Sequence, residues 1–126
     1  MSRFITAIII FTLIISSSVA SVIYISKSEN VLQSHLDTII ESATSGDMQE
    51  AEKYSKQFVE KWDSLEPFLI MLIRHHSVDE ITKYSARLST YCKYEKPAEA
   101  VAEAHMIKTI LKHMSDDEQP KMHNIF

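Results

Sequence analysis

From Phe4 to Ile25 no charged side chain interrupts the chain, and beyond Asn30 the apolar residues thin into a recurrence of three and four positions. The two patterns predict different helices. A run of 22 residues, apolar on nearly all sides, rises about 33 Å as a helix, against a hydrocarbon core about 30 Å thick. Tyr24 stands near its far end, where an amphipathic ring suits the lipid–water boundary. The spaced pattern predicts amphipathic helices that bury one stripe each. Leu32, Leu36, Ile39, Ile40 and Ala43 form the first stripe, and this stretch can continue the apolar helix outward.

Turn chemistry divides the rest. Ser45-Gly46-Asp47 ends the first stripe, with Gly46 suited to a left-handed cap. Asp47 followed by Glu50 predicts a capping-box start for a second helix carrying Ala51, Ser55, Phe58, Trp62 and Leu65. Pro67 is expected to break that helix and leave Phe68–Ile73 as a short segment apolar on every side, too short to cross a bilayer. Arg74, His75 and His76 close it. Ser77 with Glu80 predicts a second capping box, opening a helix with Val78, Ile81, Ser85, Leu88 and Cys92 on its stripe. Lys93–Lys96 is a polar turn, and Pro97 suits the first turn of a last helix bearing Ala100, Ala104, Ile107, Leu111 and Met114. Ser115–Pro120 is expected to end it, leaving a tail, Met122–Phe126.

The stripes repeat at an offset of 49 residues. Ala51, Ser55, Phe58, Trp62 and Leu65 align with Ala100, Ala104, Ile107, Leu111 and Met114; Leu32, Ile39 and Ala43 align with Ile81, Leu88 and Cys92. Two αα-hairpins explain this, and chance agreement between amphipathic helices is the plain alternative. Either way the expected fold is all-α: an N-terminal transmembrane helix at residues 1–26, then a small antiparallel helical bundle at 27–126.

Composition sharpens this in three respects. One glycine and three prolines leave few tight turns for hairpin sheets. The net charge of −4 comes with interspersed lysines and acids and no basic stripe, so nucleic acid is not an expected partner. Cys92 is the sole cysteine, which excludes an internal disulfide. A buried, inert thiol is the plain expectation for it, and an intermolecular bridge the alternative. A cleaved signal peptide competes with the anchor: Arg3, the apolar Phe4–Ile15 and the small-residue Ser18-Val19-Ala20 fit one. Val22–Ile25 carries the apolar run past that point and favours an anchor in the bilayer. Either way, so short a tail before the run favours export, which places the bundle outside the cytoplasm.

Candidate chemistry is sparse. A phosphate-cradling loop, a dinucleotide fingerprint or a nucleophile elbow each needs several glycines, and no His-Glu-x-x-His or Cys-x-x-Cys occurs. No enzyme and no cofactor is expected. His76 and Glu80 share a helix face at a spacing of four, and Glu103 and His113 could join them as metal ligands from the last helix. The plainer reading has His76 closing a helix end and Glu80 completing a cap. Phe68, Leu69 and Leu72, with Ile125 and Phe126 of the tail, are the candidate partner-binding residues; each has burial in the core as its alternative. These residues suit a non-catalytic interaction or accessory module, with an extracytoplasmic sensor of a metal or small ligand as the competing class.

Glu60-Lys61-Trp62, the run His76-Ser77-Val78-Asp79-Glu80-Ile81, Ser85-Ala86-Arg87-Leu88, Glu103, Leu111-Lys112-His113-Met114 and Asn124-Ile125-Phe126 succeed one another in an order that resembles the bacterial domain-of-unknown-function family 4363. The resemblance implies a single-span membrane protein of the cell envelope, of unknown activity, with a multi-span membrane protein as partner. The doubled His75-His76 and the few charges in the middle of the last helix depart from the family pattern.

Overall fold

A computed structural model describes residues 1–72 and 75–118, with the side chains of Leu72 and residues 115–118 left aside. The described residues form four helices: α1 (Ser2–Ser45), α2 (Met48–Leu72), α3 (His75–Lys93) and α4 (Pro97–Glu118). The chain divides into two compact units, Met1–Val31 and Leu32–Phe126.

The first unit is the apolar part of α1. Its large side chains, Phe4, Ile8, Phe11, Leu13 and Val22 among them, are mostly well exposed. Four of the hydroxyls that dilute the run are satisfied within the helix. Thr6, Thr12, Ser18 and Ser21 each donate to the carbonyl four residues back, at 2.8, 2.8, 2.9 and 2.9 Å. A hydroxyl satisfied in this way does not demand water, so these four residues are compatible with an apolar surrounding.

The second unit is an antiparallel four-helix bundle formed by the last part of α1 with α2, α3 and α4. Helix α3 packs on α2 and on α4. The α1 segment joins the other side: the rings of His35 and Tyr54 meet at 5.9 Å between centroids, and Asp37 pairs with Lys108 of α4. All four predicted stripes point inward, from Leu32, Leu36, Ile39 and Ala43 to Ala100, Ala104, Ile107, Leu111 and Met114. Phe58 and Trp62 lie at the centre with no exposed surface. Each contributes roughly 1.5–3 kcal/mol by leaving water. The ends of the stripes carry Ala43, Ala51, Cys92 and Ala100, small residues that let the helices approach near their turns.

Three expectations need correction. Pro67 does not end α2, which runs on to Leu72. A proline inside a helix forfeits one hydrogen bond and crowds the preceding turn, at about 3 kcal/mol. Here Leu65 and Leu69, one turn apart on either side, are both buried, while Pro67 and Asp63 are exposed. The orphaned carbonyl therefore faces solvent, and burial of the flanking leucines holds the helix together. Ser77 is not a cap, because α3 already begins at His75. Helix α4 continues through Ser115 to Glu118.

The 49-residue offset extends beyond the stripes. Gly46 is left-handed, with φ 89°, and so is Glu95, with φ 55°. Gly46 N–H donates to Ala43 O and Glu95 N–H to Cys92 O, both at 3.3 Å. Asp47 N–H reaches Ser42 O at 2.8 Å, and Lys96 N–H reaches Tyr91 O at 2.9 Å. Both turns are thus the same double-bonded left-handed cap. Two matching stripes could coincide by composition, but matching caps at the same offset also require the same turn. The turn between α1 and α2 and the turn between α3 and α4 are therefore alike.

Candidate functional site

The four candidate metal ligands are not brought together. His76 Nε2 lies 3.4 Å from Glu80 Oε1, a contact between successive turns of α3 at the surface. Glu103 belongs elsewhere: its Oε1 accepts from Arg87 at 2.7 Å. Arg87 is seven residues beyond Glu80 on α3, about 10 Å along the axis. His113 is exposed on α4. Among the described residues no three His, Cys, Asp or Glu side chains converge as metal ligands do.

The Arg87–Glu103 pair joins α3 to α4 instead. Glu103 is 8% exposed, yet its second oxygen, Oε2, is buried without a hydrogen-bond partner. Arg87 is half open to solvent. Its hydrogen bond with Tyr91, and then the Glu103 carboxylate, raise its pKa further and fix it as a cation. The sequence offered Glu103 as a ligand contributed by the last helix to the His76–Glu80 pair. Its partner could not be read until the facing helix was known.

Polar groups inside the bundle are spent on structure. Trp62 Nε1–H donates to Thr82 Oγ1 at 2.9 Å, and that hydroxyl donates to Val78 O at 3.1 Å. Burial pushes the Cys92 thiol up, and the neighbouring Ser55 hydroxyl pulls the other way. The thiol is buried and free. His35 was not singled out from sequence. Its Nδ1 is buried with no hydrogen-bond partner, and burial, then the charge of Lys61, lower its pKa. An open groove between α2 and α3, lined by Lys56, Val59, Glu60, Ser89 and Lys93, combines both charges with no assembled nucleophile and base.

The candidate partner surface divides. Leu69 is 5% exposed and belongs to the core, which corrects its assignment as a partner-facing residue: it continues the Trp62–Leu65 stripe. Phe68 is 57% exposed. Ile70 and Met71, which sequence reasoning did not select, are also exposed, Met71 at 84%. The Leu72 side chain, and Ile125 and Phe126 entirely, lie outside the described residues.

Comparison with known proteins adds one match. Residues 19–125 match the family described as Domain of unknown function (DUF4363). The chain belongs to this family. No curated protein and no solved structure matches it. The DUF4363 match begins inside the apolar run, so it covers the bundle and the last turns before it. The role of the preceding residues rests on their own composition. Helix α1 is the one described helix long and apolar enough to cross a membrane.

Proposed function

We propose that this DUF4363 protein is a single-span membrane protein whose helical bundle is a non-catalytic interaction or accessory module at the bacterial cell envelope. The observation that carries the reading is the exposed apolar run of α1, in which the hydroxyls of Thr6, Thr12, Ser18 and Ser21 are satisfied within the helix. Twenty-two such residues left in water would expose far more contiguous apolar surface than the few hundred Å2 a soluble monomer carries. Lipid is the environment that removes this cost. The polar groups of the bundle support the non-catalytic part: Trp62, Thr82, Arg87 and Glu103 bind one another across helices rather than converge on a cleft.

A tether of this kind raises the effective concentration of the bundle beside a membrane partner. A multi-span membrane protein is the partner class proposed. An extracytoplasmic position of the bundle is part of this proposal.

Alkaline carbonate washing of membranes, with mass spectrometry of the intact chain, tests the anchor. The expected result is a pelleted chain that keeps its apolar run. A chain released by the wash, or one beginning at Ser21, overturns it. Crosslinking in native membranes tests the module: one stoichiometric membrane-protein partner is expected, and none overturns it.

A further inference from the structure

Helix α4 differs from its neighbours on its outer face. Helices α2 and α3 expose charges along theirs, among them Lys56, Glu60 and Asp63, and Asp79, Lys83 and Arg87. Between Glu99 and Lys112, the exposed positions of α4 are Ala102, His105, Met106 and Thr109. The acid and the base of those same turns, Glu103 and Lys108, are tied to Arg87 and Asp37 within the bundle. Met106 stands in the middle of this uncharged face, 46% exposed. Methionine is adaptable and is enriched where proteins meet.

The residues around Met106 specify what covers it. Glu99, Met106 and His113 follow one another at intervals of seven. On an α-helix that spacing keeps them to one line, drifting only about 20° at each step. All three are exposed, and neither Glu99 nor His113 belongs to an ion pair among the described residues. His105 and Lys112 lie about 100° or more around the helix from Met106, off this line. The line therefore reads acid, thioether, imidazole, with Met106 at its midpoint. Turned end over end about a two-fold axis through Met106, it complements itself. Such an axis also keeps each residue on its own side of the contact, so carboxylate meets imidazole. A parallel pairing would instead set acid against acid and imidazole against imidazole. Ala102 and Thr109, beside the line, are small enough to let two helices approach.

We infer that the outer face of α4 is a homodimer interface, on which α4 of a second copy lies antiparallel, Met106 against Met106 and Glu99 against His113. The contact is isologous, the arrangement that closes with two copies and leaves no open end. Charge complementarity fixes its direction and register more than its strength. One helix of this length against another buries less than the roughly 1,200 Å2 of a stable interface, so the dimer is a reversible one. Every residue involved belongs to the second unit, so the pairing does not depend on the anchored reading.

Cysteine crosslinking of the full chain in dodecylmaltoside tests this. Cys92→Ser removes the native thiol. Met106→Cys places a thiol on the axis, Lys83→Cys on the outer face of α3 is the control, and circular dichroism checks that each variant stays helical. On oxidation with copper phenanthroline, the expected result is a disulfide-linked dimer several-fold more abundant at 106 than at 83. Equal yields at the two positions overturn the inference, because association through the apolar run or random collision would link both alike. In the Met106→Cys chain, Glu99→Lys or His113→Glu alone should cut the yield several-fold, and the two together should restore it. Single changes without effect, or a double change that restores nothing, overturn the antiparallel match and the inference with it.

Discussion

Trp62 illustrates how a single side chain sets the terms for its neighbours. Its indole is wholly buried, so its N–H must find an acceptor within the bundle, and Thr82 provides one. Replacing Thr82 with valine keeps the shape and removes the oxygen, leaving a buried donor unsatisfied at about 1–3 kcal/mol. Thr82→Ser retains the oxygen and should recover most of that loss in urea denaturation; equal losses for the two would show that the bond is incidental. His35 imposes a different condition. Burial and Lys61 hold its pKa below the ordinary 6.5, so between those two values the unfolded chain binds more protons than the folded one. Stability is then full above about pH 6.5 and is lost as pH falls through the depressed pKa. Melting curves from pH 7.5 downward should show this decline before carboxylates titrate near pH 4, and His35→Leu should flatten it. An unchanged slope in the variant would assign the acid sensitivity to other groups. Neither residue's role was legible beforehand, because both depend on which helices face each other. Spacing along one helix carries no information about the next.

Single helices were read far better, and for a physical reason. Every stripe from Leu32 to Met114 was visible because burial selects apolar residues at the helical period, and the bundle buries those same residues. Caps were legible where the residue advertises its conformation. Gly46 does; Glu95, in the same left-handed position, does not. The repeat pointed to it only through the register of the stripes. This asymmetry is testable. No atom would crowd a Cβ at Gly46, so Gly46→Ala isolates the backbone strain, about 1–2 kcal/mol. Glu95→Gly relieves the same strain in the other hairpin and should raise the melting temperature by about 4–8 °C for each kcal/mol gained. Opposite signs for the two substitutions are expected, and a destabilised Glu95→Gly would mean that the side chain itself stabilises the turn. Pro67 was misread because the penalty for an interior proline was weighed without the burial on either side of it. Restoring the lost N–H by Pro67→Ala should stabilise α2, by up to about 3 kcal/mol, with no change in helix boundaries.

The whole chain combines two solvents' worth of design in one polypeptide. In the first unit most large apolar side chains are exposed; in the second the stripes from Leu32 to Met114 are enclosed. The enclosed stripes come from all four helices, so the second unit has a complete core without the first. Removing residues 1–26 should therefore leave a fragment that stays in solution, is helical by circular dichroism and unfolds in one cooperative transition. Adding residues 1–26 back should change where the protein partitions and leave the unfolding of the bundle nearly unchanged, since the apolar core begins at Leu32. Phase separation in a cloud-point detergent reads the first property, and calorimetry on both forms reads the second. A fragment that aggregates or melts without cooperativity would mean that the apolar run completes the core, and the division into anchor and bundle would then fail. If the fragment folds but the full chain stays in the aqueous phase, the division holds and the apolar run must be covered by something other than lipid.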